Sequence, residues 1–73
     1  MPNYIVFSGK ELVKFLAKFG FIEIRIKGSH AILQKVIDNS TITIPVPLHK
    51  EIKKGTLLSI IRQSGLPKEY FIA

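Results

Sequence analysis

His30 is the residue whose neighbours make it worth following first. It closes the tetrad Lys27-Gly28-Ser29-His30, with Arg25 two positions before Lys27. Gly-Ser at the centre of such a tetrad fits a two-residue type II′ hairpin turn, glycine taking the first central position. That turn makes Lys27 and His30 cross-strand partners on one face, with Arg25 opposite Ile32 and diagonal to His30. An imidazole exchanges protons near neutral pH, while flanking cations hold a phosphate. On residue types alone, a solvated histidine beside a turn is the commoner outcome.

A second basic group follows at Lys50, Lys53 and Lys54, beside His49. These lysines could grip phosphates together with the amides of a helix starting at Gly55 and Thr56; a solvated run of charge is the plainer alternative. His49-Lys50-Glu51 matches no metal-ligand spacing, and a loop histidine is the default reading for it. With no cysteine, two separated histidines and scattered carboxylates, the sequence points to no metal and no cofactor, and it excludes thiol and disulfide chemistry. Lys10, Lys14 and Lys18 read as a solubilising helix stripe. The net charge of +6 on 73 residues calls for an anionic partner, nucleic acid or an acidic protein. Tyr4, Tyr70 and the phenylalanines lie at core-spaced or terminal positions, so no aromatic platform for stacking bases is apparent.

The elements that must hold these groups are legible in turn. Ser8-Gly9-Lys10-Glu11 is a capping box, flanked by Phe7 and Leu12 as a hydrophobic staple. Leu12, Phe15, Leu16 and Phe19 recur at helical spacing until Gly20 stops the helix. In residues 21–27, Ile22, Ile24 and Ile26 alternate with Glu23, Arg25 and Lys27, the pattern of a half-buried strand. Continuing the hairpin register pairs Ile26 with Ala31, Ile24 with Leu33 and Glu23 with Gln34. A second strand runs over residues 30–37, and Asp38-Asn39-Ser40 marks a turn. A third spans 41–44; Pro45 and Pro47 interrupt any further ladder, so it lies at a sheet edge or ends there. After a loop at 48–54, a helix from Gly55 or Thr56 places Leu57, Ile60, Ile61 and Ser64 on one face, Gly65 ends it, and Pro67 opens a last short turn through Tyr70 and Phe71. The order is α-β-β-β-α: a single α+β domain over residues 1–73, with a three-stranded antiparallel sheet and both helices on one face. No stretch is long and apolar enough for a membrane span, and the N-terminus does not read as a signal peptide, so the expected compartment is cytoplasmic.

These motifs together resemble the HicA-type mRNA interferase toxins of toxin–antitoxin pairs. The resemblance rests on Ser8-Gly9-Lys10-Glu11-Leu12, Gly20-Phe21, Lys27-Gly28-Ser29-His30, Thr43-Ile44-Pro45, Lys54-Gly55-Thr56-Leu57 and Ile60-Ile61-Arg62-Gln63-Ser64-Gly65-Leu66. It implies a fold like that of double-stranded-RNA-binding domains and cleavage of mRNA without a metal. It also implies His30 as the catalytic histidine preceded by Gly28, and neutralisation by a HicB-type antitoxin, the chain being a monomer alone and part of a hetero-oligomer with that partner. On this reading Arg25, Lys27, Gly28, Ser29, Lys50, Lys53 and Lys54 bind the RNA phosphates. One departure stands out: the family often carries His or Arg after its histidine and a polar second strand, whereas Ala31-Ile32-Leu33 here is apolar. Two other classes fit the same surface: an RNA-binding module without catalysis, and a domain whose basic face only receives an acidic protein. Cleavage of bound RNA separates the first, and salt-dependent RNA binding the second.

Overall fold

The structure, a computed structural model, describes residues 3–73. Helix α1 (Gly9–Ala17) starts at the capping box: the Ser8 hydroxyl accepts from the Glu11 N–H at 3.1 Å, and the Ser8 N–H donates to Glu11 Oε1 at 2.8 Å. Leu12 and Leu16 on its apolar stripe are buried. The helix ends at Ala17, a little before the expected Gly20. Phe21 N–H bonds to the Leu16 carbonyl at 3.3 Å and Gly20 N–H to that of Ala17 at 3.2 Å, a Schellman turn closed around Gly20 at φ +93°.

Strands β1 (Ile22–Lys27), β2 (His30–Ile37) and β3 (Ser40–Pro47) form an antiparallel sheet in the order β1-β2-β3. Helix α2 (Lys54–Ser64) begins slightly earlier than expected, at Lys54, and buries Leu57, Ile60, Ile61 and Ser64. The Ser64 hydroxyl donates to the Ile61 carbonyl at 2.7 Å and accepts from Leu66 N–H at 3.1 Å, so this helix end is closed by a side chain as well as by left-handed Gly65. A single 3-10 turn (Lys68–Phe71) follows. The architecture is thus α-β-β-β-α over an open three-stranded sheet, the α+β arrangement of double-stranded-RNA-binding domains.

The core lies on one side of that sheet. Ala31 and Leu33 pair with Val46 and Ile44, all four fully buried beneath the two helices. Phe15 joins this layer to the chain's tail, its ring centroid 5.2 Å from Phe7 and 5.1 Å from Phe71. The two ends pair with each other: Tyr4 bridges Ile72, and Ile5 N–H reaches the Phe71 carbonyl at 2.8 Å. Neither segment carries a local signal for that pairing.

Two strand expectations need correction. Strand β3 is an edge strand, one of the two readings its prolines allowed, and it runs on through Pro45 and Pro47 instead of stopping at Ile44. A two-residue turn makes Lys27 and His30 the hydrogen-bonded pair, so His30 and Ile32 aim their backbone groups at β1. Their partners on β3 are Pro47 and Pro45, positions from which the ladder asks no N–H. The second correction is larger. β1 is not half-buried: all six residues are exposed, with Ile22, Ile24 and Ile26 at 68%, 44% and 57%. Helix α1 comes near this strand without covering its side chains, and Ile24 has no partner in β2. Glu23 pairs with Leu33 and Ile22 with Gln34, where unbroken alternation would pair Ile24 with Leu33 and Glu23 with Gln34.

Gly9 shows how tightly the first helix is seated. A Cβ there would run into the Pro47 carbonyl oxygen and lie 2.6 Å from Leu48 Cα, both backbone atoms that cannot swing aside. Gly9→Ala should cost about 1–3 kcal/mol, as overpacking does. Gly55, inside α2 with nothing within 4 Å, should gain up to about 1 kcal/mol on the same change. Urea midpoints of the two variants should therefore move in opposite directions at constant slope; a shared direction would contradict this packing.

Candidate nucleic-acid interface

The hairpin of β1 and β2 carries the first group of residues. Gly28 sits at φ +62°, and among the described residues only Asp38 combines a side chain beyond glycine with positive φ, so Ser29 stays on the negative side. This is the φ pattern of a type II′ turn. Lys27 pairs with His30 and Arg25 with Ile32, as the spacing requires, and Arg25, Lys27, Gly28, Ser29 and His30 are all exposed. The imidazole therefore stands in solvent, off the buried side of the sheet, with Lys27 directly across and Arg25 diagonal to it.

The unpaired Ile24 changes what surrounds that group. Cross-strand partners share a face. Glu23 opposite Leu33 turns to the helix side of the sheet, and Ile22 opposite Gln34 comes out on the open side. Glu23 is the only carboxylate in the three strands. The open face consequently carries Arg25, Lys27 and His30 with no acid among its strand residues to offset them. For exposed groups such as these, a carboxylate within about 4 Å of one of the cations would offset up to about 1 kcal/mol of attraction for an anion.

Two backbone hydrogen bonds add further segments to the hairpin tip. Leu48 N–H donates to the Ser29 carbonyl at 2.7 Å, and Gly9 N–H donates to the His49 carbonyl at 2.9 Å. They tie the hairpin, the loop after β3 and the start of α1 into one corner. A shallow depression of about 310 Å³ opens there, lined by Ser8, Lys10, Leu48, His49 and Lys50. Lys50 and His49 thus adjoin the hairpin. Lys10 lines the same depression, where only the tertiary closure brings it.

Lys53 and Lys54 are placed differently. Both are exposed at the start of α2, Lys53 as its N-cap residue without a side-chain cap bond. Lys54 Nζ stands 5.8 Å from the centre of the Tyr4 ring, on a separate depression of about 290 Å³ that also includes Glu51 and Leu57. The basic loop does not act as one cluster: Lys50 turns to the corner, and Lys54 to the N-terminal segment. Among the described residues no three His, Asp or Glu side chains gather into a metal-ligand set, and no helix is long and apolar enough to cross a membrane. The corner thus presents an exposed imidazole framed by cations, a setting that favours an anion.

The chain was compared with known proteins against this geometry. No curated protein matches it. The model of the HicA toxin family, toxins of bacterial toxin–antitoxin pairs, matches residues 9–66. That stretch runs from the first residue of α1, through the whole sheet and the hairpin with His30, to the residue that follows the α2 stop at Gly65. With four-fifths of its length matched in this way, the chain belongs to the HicA toxin family.

Proposed function

We propose that this toxin is an endoribonuclease that cleaves mRNA in the cytoplasm without a metal, using His30 as its catalytic histidine. The observation that carries the reading is an exposed imidazole paired with Lys27 on a sheet face that holds no strand carboxylate, in a chain of this family. His30 serves as general base or acid toward the 2′-hydroxyl or the leaving 5′-oxygen. Lys27 and Arg25 hold the scissile phosphate and neutralise the charge that builds on it in the transition state. Gly28 and Ser29 set the turn that places both sides of this pair, with Ser29 anchored through its carbonyl to Leu48.

The RNA backbone runs from the hairpin onto the corner, where Lys50 and Lys10 meet it. Lys53 and Lys54 extend the basic surface along the start of α2. Every step is acid–base and electrostatic, and the reaction balances without a co-reactant: the 2′-oxygen bonds to phosphorus as the 5′-oxygen leaves with a proton. As a member of its family the chain has an antitoxin partner; we assign it as HicB-type, binding the free monomeric toxin and competing with RNA.

His30→Ala should lower the cleavage rate on the order of a hundred- to ten-thousand-fold. Because the ring is exposed, circular dichroism and melting temperature should stay at wild-type values. A variant that cleaves at the wild-type rate would move catalysis elsewhere, and wild-type protein that binds RNA without cutting it would reduce the function to binding. Activity should also survive EDTA. Cleavage that stops with chelator and returns with magnesium or zinc would overturn the metal-free mechanism.

A further inference from the structure

The open face of the sheet has two unlike ends. Toward the first hairpin lie Lys27, His30 and Arg25. Toward the second lies an aliphatic patch. Ile22 comes out opposite Gln34, which places it diagonal to both Ile32 and Val36 on the open side. Ile22 is 68% exposed and Val36 75%, and Pro45 beside Ile32 is exposed as well. Among the described residues no helix covers this side, and the core needs none of these side chains. Aliphatic side chains exposed together and continuous with a charged site mark a surface that something covers.

Three occupants are conceivable, and the chemistry separates them. RNA presents phosphates, sugars and flat bases. It gains from cations and aromatic rings, and this patch offers neither. A second copy of the chain would bring another net charge of +6 and a face that likewise carries cations without strand acids. An acidic protein with an apolar centre matches both ends at once: carboxylates toward Arg25 and Lys27, aliphatic side chains against Ile22, Ile32 and Val36. The antitoxin is the partner that the family supplies.

We propose that the aliphatic half of the open sheet face, built from Ile22, Ile32, Val36 and Pro45, is the antitoxin's anchoring surface and takes no part in RNA binding. The proposal rests on the reading of the adjoining hairpin as the RNA site, and it divides one face into two tasks. The apolar half supplies affinity, and the carboxylates that follow it reach the cations and displace RNA. Buried apolar anchors dominate the energy of such interfaces, whereas rim charges mainly set orientation and association rate.

The test uses the double variant Ile22→Thr/Val36→Thr, which keeps β-branched residues in both strands. Its affinity for the cognate antitoxin should fall about a hundredfold. Its RNA cleavage without antitoxin should stay within twofold of wild type, and both toxins should sediment as monomers. Unchanged antitoxin affinity would overturn the proposal. A parallel loss of RNA binding would give the patch to RNA instead, and wild-type self-association that the variant loses would give it to a second copy. If neither protein cleaves RNA, the catalytic reading fails, while a hundredfold loss of antitoxin affinity still supports the anchoring surface.

Discussion

A β-strand alternates its side chains with period two, so one unpaired residue reverses the faces of everything beyond it. Ile24 is that residue here. Between the turn and the bulge, Lys27 and Arg25 keep the open side. Beyond it, Glu23 goes to the helix side and Ile22 comes out. The exchange removes an acid from the neighbourhood of two cations and a histidine, and it puts an aliphatic side chain in its place. Both properties argued for this face follow from the exchange: its preference for anions at one end and its apolar patch at the other.

The bulge also suits β1 to its place at a sheet edge. Exposed edges invite pairing with other chains, and bulges and charged residues discourage it. β3, the opposite edge, carries Pro45 and Pro47 at positions where the ladder asks no N–H. With both edges blunted, pairing of strands with another chain is discouraged and the broad open face stays free. The hairpin tip is held onto the body by the Ser29–Leu48 and Gly9–His49 hydrogen bonds, and Gly9 is the only residue small enough for that closure. The same glycine belongs to the capping box that starts α1. One short segment therefore begins the first helix, seats it on β3 and brings Lys10 to the corner.

Much of this was legible in the sequence because its causes are local. The capping box at Ser8, the stops at Gly20 and Gly65, the face of α2 through Leu57, Ile60, Ile61 and Ser64, and the pairing of Lys27 with His30 each need only a few consecutive residues. What the sequence did not reveal depends on contacts between distant segments. The regular Ile-Glu-Ile-Arg-Ile-Lys run looks like an unbroken half-buried strand, and nothing in it announces that Ile24 goes unpaired or that the helices leave its side chains exposed. The prolines of β3 looked like terminators because their harmlessness depends on the phase of the hydrogen bonds fixed by the other hairpin. Lys10 fell in a helical stripe of lysines, and its nearness to His49 and Lys50 exists only after the Gly9 closure. Lys50, Lys53 and Lys54 read as one basic run, yet Lys54 faces Tyr4 instead.

The central claim is that RNA engages the first hairpin and its corner with His30 at the reacting phosphate. Chemical-shift mapping of labelled toxin with an RNA that cannot be cut, its 2′-hydroxyls replaced by hydrogen, tests this directly. The account predicts the largest shifts at Arg25, Lys27 to His30 and His49, including the His30 ring protons, with smaller ones at Lys10 and Lys50 and little change at Ile22 and Val36. Shifts centred on the helix side of the sheet, with the hairpin tip and the His30 ring unmoved, would contradict it.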